Sequence, residues 1–454
     1  MTHASPSSRA QFLLPALLCL GLLPSAYPAQ KTVTVGFRIF PGLAEMDGNW
    51  AALKVAHDGK VYAGLACHGC DGHLVFYDPR ADRMVDVGNL TRLCGEQGLG
   101  IGPQSKIHFK FGEGKDGRIY FATHAGLWWD YARVATPEGY PGAHWMAYDP
   151  QTGRVENFGI GPRYEGINTG AYDPVRNRLY GLTHPRGHLV YFDVPTRTLV
   201  DKGRINNWES ICRTLGIDDR GNVYGSFGLG RIYKYDPRSD SITEVPLHIP
   251  FREKGVSLGR DYYKSETAWR VVVWDGETRR FYGVEESASL LFSFDPYAGE
   301  YGQIKVLGQL CIPSTTVPTG LVNVPANWLG MPLAHEPRDI PYATLALALG
   351  SDRKLYFGAS ESEFDYAGSG RAAGVHLISY DLSTGHKEDL GEMRLPDGRL
   401  VLGVNSADPA PDGTIYFVGA IEVPKTPGGR TKAAGTVGGV PYRLALLFYP
   451  PGKD

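Results

Sequence analysis

The chain is 454 residues long, 43% hydrophobic and 21% charged, which is enough apolar content for a large core and too much for a disordered chain. A formal net charge of -2 at pH 7 excludes nucleic acid as the main partner, because neutralising phosphates takes a clear Lys and Arg excess. An acidic substrate in a locally basic cleft stays open, and 58 Gly, 32 Pro, 26 Tyr and 18 Phe bias the chain towards turns and strands.

At the N-terminus, Arg9 is followed by an apolar run from Phe12 to Leu23 and then by small residues and prolines through Ala29. The run is too short to cross a bilayer and reads as a secretory signal over residues 1–29, so the mature protein is expected to be periplasmic or extracellular. Leu18 stands before Cys19, where a lipoprotein signal needs a small residue, which argues against a lipid anchor. No later segment reaches the length of a membrane helix. Cys67, Cys70, Cys94, Cys212 and Cys311 remain after cleavage, and Cys94 is expected to pair with Cys67 or Cys70. Asp71 follows Cys70 where haem attachment would need a histidine.

Lys31 to Ile39 is a β-rich run, and beyond it the chain repeats. An aliphatic-Tyr pair follows a polar turn at Tyr62, Tyr120, Tyr180, Tyr224, Tyr282, Tyr356 and Tyr416, with turns such as HDGKVY, KDGRIY and PDGTIY. The copies lie 44 to 74 residues apart, the length of a four-stranded blade with its loops. Most continue into a strand ending in aromatic-Asp, at Asp78, Asp149, Asp193, Asp236, Asp295 and Asp381. The pattern predicts an all-β, seven-bladed β-propeller of four-stranded blades over 30–454, a single domain. The N-terminal strand should close the ring as the outer strand of the last blade, which removes an exposed sheet edge.

Blade geometry brings three positions of each repeat to one rim: twelve residues before the repeat tyrosine, four after it, and five before the aromatic-Asp aspartate. The first ring reads Trp50, His108, Asn168, Cys212, Arg270, Thr344 and Val404. The second includes His124, His184 and Glu286, and the third His73, His144, His188, Arg231 and His376. Seven of the 13 histidines fall on these rings, most of them in the second and third blades. Arg204 and Arg213, on the way into the fourth blade, join them. Between His124 and His144 runs a loop with Trp128, Trp129, Tyr131 and Tyr140, aromatics suited to stacking on a ligand. His73, His188 and His376 also have a structural reading, as rings bonded to nearby loops.

Imidazoles exchange protons near neutrality, and guanidinium binds a carboxylate in a bidentate fork. A uronic acid presents a carboxylate beside an acidified C5 proton, so the combination points to β-elimination by a polysaccharide lyase. THAGLWWDYARVATPEGYPGAHWMAYDP resembles the histidine blade of the seven-bladed propeller lyases that cleave ulvan. The resemblance implies His124 and His144 as catalytic residues, with Arg204, or else Arg213, neutralising the carboxylate. Where those lyases carry a catalytic tyrosine, this chain offers His184 and His188. Either an imidazole takes the role, or Tyr262 or Tyr263 supplies the phenol, or the substrate differs. Trp128, Trp129, Tyr140, His184, Arg270, Tyr262 and Tyr263 are the candidate substrate-binding residues. The resemblance implies no cofactor for the chemistry and a structural zinc, for which His108 and Cys212 are the candidate ligands. The partner is expected to be an acidic polysaccharide and the protein a monomer. The alternative is a non-catalytic propeller binding glycan or protein through its histidine-rich face.

Overall fold

The computed structural model describes residues 31–126, 139–206, 212–228, 230–249, 268–285, 289–310, 344–359, 374–424, 433–437 and 439–452. Among them the strands form seven sheets, each an antiparallel set from one sequence repeat, two of them each joined by an N-terminal strand. Blade 1 runs through Leu53–Val55, Val61–Leu65, His73–Asp78 and Arg83–Asn89; blade 2 through Gly112–Glu113, Ile119–Ala122, Gly142–Asp149 and Arg154–Arg163. Blade 3 comprises Gly166–Asp173, Arg178–His184, His188–Asp193 and Thr198–Arg204. Blades 4, 5 and 6 repeat the order from Gly216, Trp269 and Leu347, and blade 7 from Val401. The one helix among the described residues is a single turn, Leu90–Leu93.

Each repeat turn is built by its own side chains. In blades 1, 2 and 6 the turn aspartate accepts from the backbone N–H two residues on and from the hydroxyl of the repeat tyrosine, as in Tyr62 to Asp58 (2.8 Å), Tyr120 to Asp116 (2.8 Å) and Tyr356 to Asp352 (2.7 Å). Gly59 and Gly117 follow at φ 83° and 74°, the left-handed conformation that glycine adopts without strain. The aliphatic-Tyr pair recurs because one residue fills a core while the other closes the turn.

Alternation along the strands assigns every side chain to one of two neighbouring blades. In blade 3, Phe192 stacks with Trp145 and Phe158 of blade 2, while Tyr191 packs on Tyr235 of blade 4. Tyr120 of blade 2 stacks on Tyr172 of blade 3 at 4.5 Å, whereas Met146 lies against Cys94 beyond blade 1.

Ring closure follows the sequence expectation and adds a second strand to it. Gly36–Ile39 pairs antiparallel with Val440–Tyr449 as the outer strand of blade 7, as predicted, but Thr32–Thr34 pairs in parallel with the outer strand of blade 6. The run Lys31 to Ile39 is thus two strands. Val35, fully buried between them, donates its N–H to Arg394 O (2.8 Å). One segment staples two blades, which a single hydrophobic run does not reveal. Val35→Asp should lower the urea unfolding free energy by about 3 kcal/mol or more, since it buries an unpaired charge at the closure. An unchanged urea midpoint would show that the staple carries no stability.

Candidate functional site

The inner-strand approach to blade 2 carries Lys106 and His108 two residues apart, hence on one face, and Lys106 forms an isolated β-bridge with His124. These three side chains converge near the propeller axis, where His184 and His68 join them. His108 and His124 stack with centroids 4.6 Å apart, and His124 meets His184 edge-on at 5.5 Å. Trp50 lies beneath, 5.2 Å from both His108 and His68, and extends into an apolar cluster with Val271 and Leu345 of the far blades. The Lys106 ammonium sits 4.5 Å from the Trp50 ring centroid and 2.6 Å from His68 Nε2.

His108, His124 and His184 are held in the neutral form. His108 Nδ1 lies 3.2 Å from Asn168 O and must donate to it, which leaves Nε2 an acceptor; that buried atom has no hydrogen-bond partner among the described residues. Burial first, then the Lys106 charge, holds His108 well below the ordinary imidazole range. His124 is held well below it by burial and by His108 and His184, and burial with the Arg213 charge brings His184 to about 3. Arg213 is fixed through its backbone, its carbonyl accepting from Thr169 Oγ1 at 2.8 Å.

The third-ring histidines belong to another device. His73, His188 and His376 each bond through Nδ1 to an aspartate thirteen residues on: Asp86 at 3.0 Å, Asp201 at 2.9 Å and Asp389 at 2.9 Å. His144 bonds likewise to Asn157 at 3.1 Å. The acceptor sits at a bulge in the outer strand, where Asp201, Asp389 and Asn157 also accept from the N–H of the glycine two residues on. The spacing was visible in the sequence and identifies a repeated fixing of the third strand to the fourth. Blade 3 departs from it in one respect. The residue opposite its histidine is Arg204, where the others have Asn89, Ile160 and Glu392.

His124 and His144 are not brought together. Strand parity turns His124 towards blade 3 and His144 towards blade 1, where His144 Nε2 meets Glu96 Oε1 at 2.7 Å. Gln104 donates to the other Glu96 oxygen at 2.9 Å, and the Tyr140 hydroxyl donates to Gln104 Oε1 at 2.9 Å. Tyr140, expected to stack on substrate, is fully buried in this network. The same parity turns His188 and Arg204 towards blade 2, so His124, His188 and Arg204 flank one gap, between blades 2 and 3. Side-chain exposure rises from the axis outward, from 5% for the residues His124 and His184 to 24% for the His188 side chain.

Arg270 is buried on the inner strand of blade 5. Trp128, Trp129, Tyr262 and Tyr263 lie outside the described residues. His108 and Cys212 do not fit a zinc site: Cys212 is sealed among apolar side chains that push its thiol up to about 12, and no group of three ligands forms among the described residues. The expected disulfide is also corrected. Cys67 bonds Cys70, and Cys94 is a buried thiol 3.6 Å from Met146 Sδ. Sequence reasoning missed Asp47, His68, Lys106 and Glu96. Of these, the alternation of Lys106 with His108 was the one available signal.

No family model matches this sequence, and neither does any curated protein. Among solved structures the chain is similar to the RRP9 WD40 repeats, with TM-score 0.52, 12% identity, and coverage of 91% of this chain and 97% of that one. It is equally similar to U3-55K, with TM-score 0.52, 12% identity, and coverage of 91% and 98%. At that identity the likeness shows the fold alone. With seven sheets of matching order, the chain is a seven-bladed β-propeller closed by its N-terminal strands.

The neutral cluster makes a pH prediction. An unfolded histidine takes up a proton near pH 6.5, whereas native His184 does so only at about 3, so between those values the unfolded chain binds more protons and stability falls as pH falls. Each such imidazole contributes a slope of up to about 1.4 kcal/mol per pH unit. His184→Asn should flatten the dependence of the urea midpoint between pH 6.5 and 4.5; an unaltered slope would remove His184 from the effect.

Proposed function

We propose that the protein is an exported lyase that cleaves a uronate-containing, ulvan-like polysaccharide by β-elimination in the gap between blades 2 and 3. One arrangement supports this reading above the others: the partly exposed His188–Asp201 pair with Arg204 directly opposite His188 on the neighbouring strand. Asp201 accepts from Nδ1–H and so fixes the tautomer in which Nε2 carries the lone pair of a base. In blades 1 and 6 the residue paired with the histidine is Asn89 and Glu392 instead.

In the reaction, Arg204 holds the uronate carboxylate in a bidentate fork and stabilises the charge that develops as the C5 proton leaves. One imidazole, at His188 or His124, takes that proton. The C4–O4 bond breaks as the C4–C5 double bond forms, and the departing oxygen collects a proton from the pair. Burial and the neighbouring rings hold His124 well below the ordinary imidazole range, which leaves its lone pair free and also makes it a weak proton acceptor. Export rests on the signal-like residues 1–29.

Incubating the mature chain with a panel of uronate polysaccharides should generate the ultraviolet absorbance of an unsaturated uronate. His188→Ala and Arg204→Ala should each lower kcat/KM by about 100-fold or more while the melting temperature stays within a few degrees. Binding across the panel without any new absorbance would instead establish a non-catalytic glycan-binding propeller.

A further inference from the structure

Cys67 and Cys70 close a four-residue loop between the second and third strands of blade 1, and the two residues inside that loop are His68 and Gly69. The His68 backbone N–H donates to Asp47 Oδ2 at 2.9 Å and its Nδ1 lies 3.0 Å from Asp47 Oδ1. With Nδ1–H given to the carboxylate, Nε2 is an acceptor, and the Lys106 ammonium donates to it at 2.6 Å. The loop is tied to the same strand that carries Lys106, since Cys67 N–H donates to Ser105 O at 3.0 Å and Gly72 N–H to Gln104 O at 3.0 Å. Asp47, His68 and Lys106 thus form a continuous arm from the rim of blade 1 to the face of Trp50.

We propose that the Cys67–Cys70 bridge clamps this arm, so that Asp47 and His68 are positioning residues that hold Lys106 over Trp50 inside the histidine cluster. Its consequence for turnover rests on the lyase reading above; the clamp itself does not. Gly69 at φ 89°, the 3.4 Å turn bond from Cys70 N–H to Cys67 O and the bonds of His68 to Asp47 also restrain the loop. Opening the bridge loosens the loop that holds His68 on Asp47, and with it the acceptor that His68 offers Lys106. Lys106 also opposes protonation of His108, His124 and His184 by its charge, so displacing it makes those rings easier to protonate. Closing the bridge removes two protons and two electrons from the thiols, and an external disulfide accepts both pairs as it becomes two thiols. Export to an oxidising compartment would supply such an acceptor.

The test uses the full mature chain, oxidised or treated with dithiothreitol. Modification of Lys106 by a small amine reagent is read by peptide mass spectrometry, beside melting and turnover. Lys106 is 6% exposed, so labelling of the oxidised protein should be slow, and reduction should raise it about ten-fold as the arm opens locally. Asp47→Asn should do the same with the bridge intact. In His68→Gln, reduction should add nothing further, because the bridge then has no imidazole to hold. Where uronate is cleaved, reduction should also shift the acidic limb of the pH–rate profile to higher pH, which a merely structural bridge would not do. Unchanged labelling after reduction overturns the clamp, as does an equal rise in His68→Gln. If reduction unfolds the chain, Asp47→Asn decides alone, and unaltered labelling there overturns the proposal. Bridge-dependent labelling in a protein that cleaves no uronate polysaccharide would sink the lyase reading and leave the clamp standing.

Discussion

Strand parity governs this molecule. A propeller strand has two faces and each belongs to a different neighbouring blade, so a shift of one residue moves a side chain from one inter-blade gap to the next. His124 and Thr123 illustrate it. The imidazole turns towards blade 3 and the axis, while the threonine hydroxyl, one residue earlier, accepts from the N–H of His144 at 2.8 Å on the blade 1 side. Two histidines on adjacent strands of one sheet therefore work in different compartments. His188 and Arg204, far along the chain from His124, share its gap because their parity is opposite and their blade is the next one round.

Burial then decides what each compartment can do. Around the axis, His108, His124 and His184 crowd together beside Lys106 and Arg213, and desolvation adds to cation repulsion to keep the rings neutral. A cationic cluster there would collapse the packing on Trp50, whereas neutral rings stack on it and on one another. In the gap between blades 1 and 2 the balance differs, because Glu96 gives His144 a carboxylate partner and both ends of the ring have acceptors. That network is closed by Gln104 and Tyr140, buried side chains with defined partners, and it fixes the start of the third strand.

The fold was legible because repetition is a one-dimensional signal: seven copies of a turn that makes its own hydrogen bonds specify seven blades. The rim position of the histidines was legible for the same reason. Their facing was not, since bulges at Thr169 and Gly203 let a strand gain a residue without any mark in the hydrophobic pattern. Lys106 stayed hidden because a lysine next to an apolar residue reads as surface, and only the β-bridge to His124 and the acceptor on His68 explain how its charge is carried inside. Cys94 misled for a related reason. Its nearest partner along an export reading was another cysteine, but the structure packs it beside a methionine and leaves the short loop to be bridged.

The division between a buried axis and an exposed rim bears on how such a site would act. On the lyase reading a polysaccharide would meet the rim, where His188 and Arg204 have exposure and where Asp201 fixes the tautomer of His188. The axial rings are too enclosed to grip a polymer along its length, but they set the field that a sugar inserted into the gap would meet: several imidazole dipoles, the Lys106 ammonium and an indole floor. Preorganised charge of that kind acts most strongly where water is excluded, which is at the inner end of the gap. A uronate lying with its carboxylate outward on Arg204 and its C5 edge inward towards His124 would place the group that must be neutralised in the polar zone. The proton that must be removed would then lie in the dry one. On the lyase reading that orientation would follow from the gradient of burial from His188 to His124 and would put the guanidinium and the inner imidazole at opposite ends of one sugar ring.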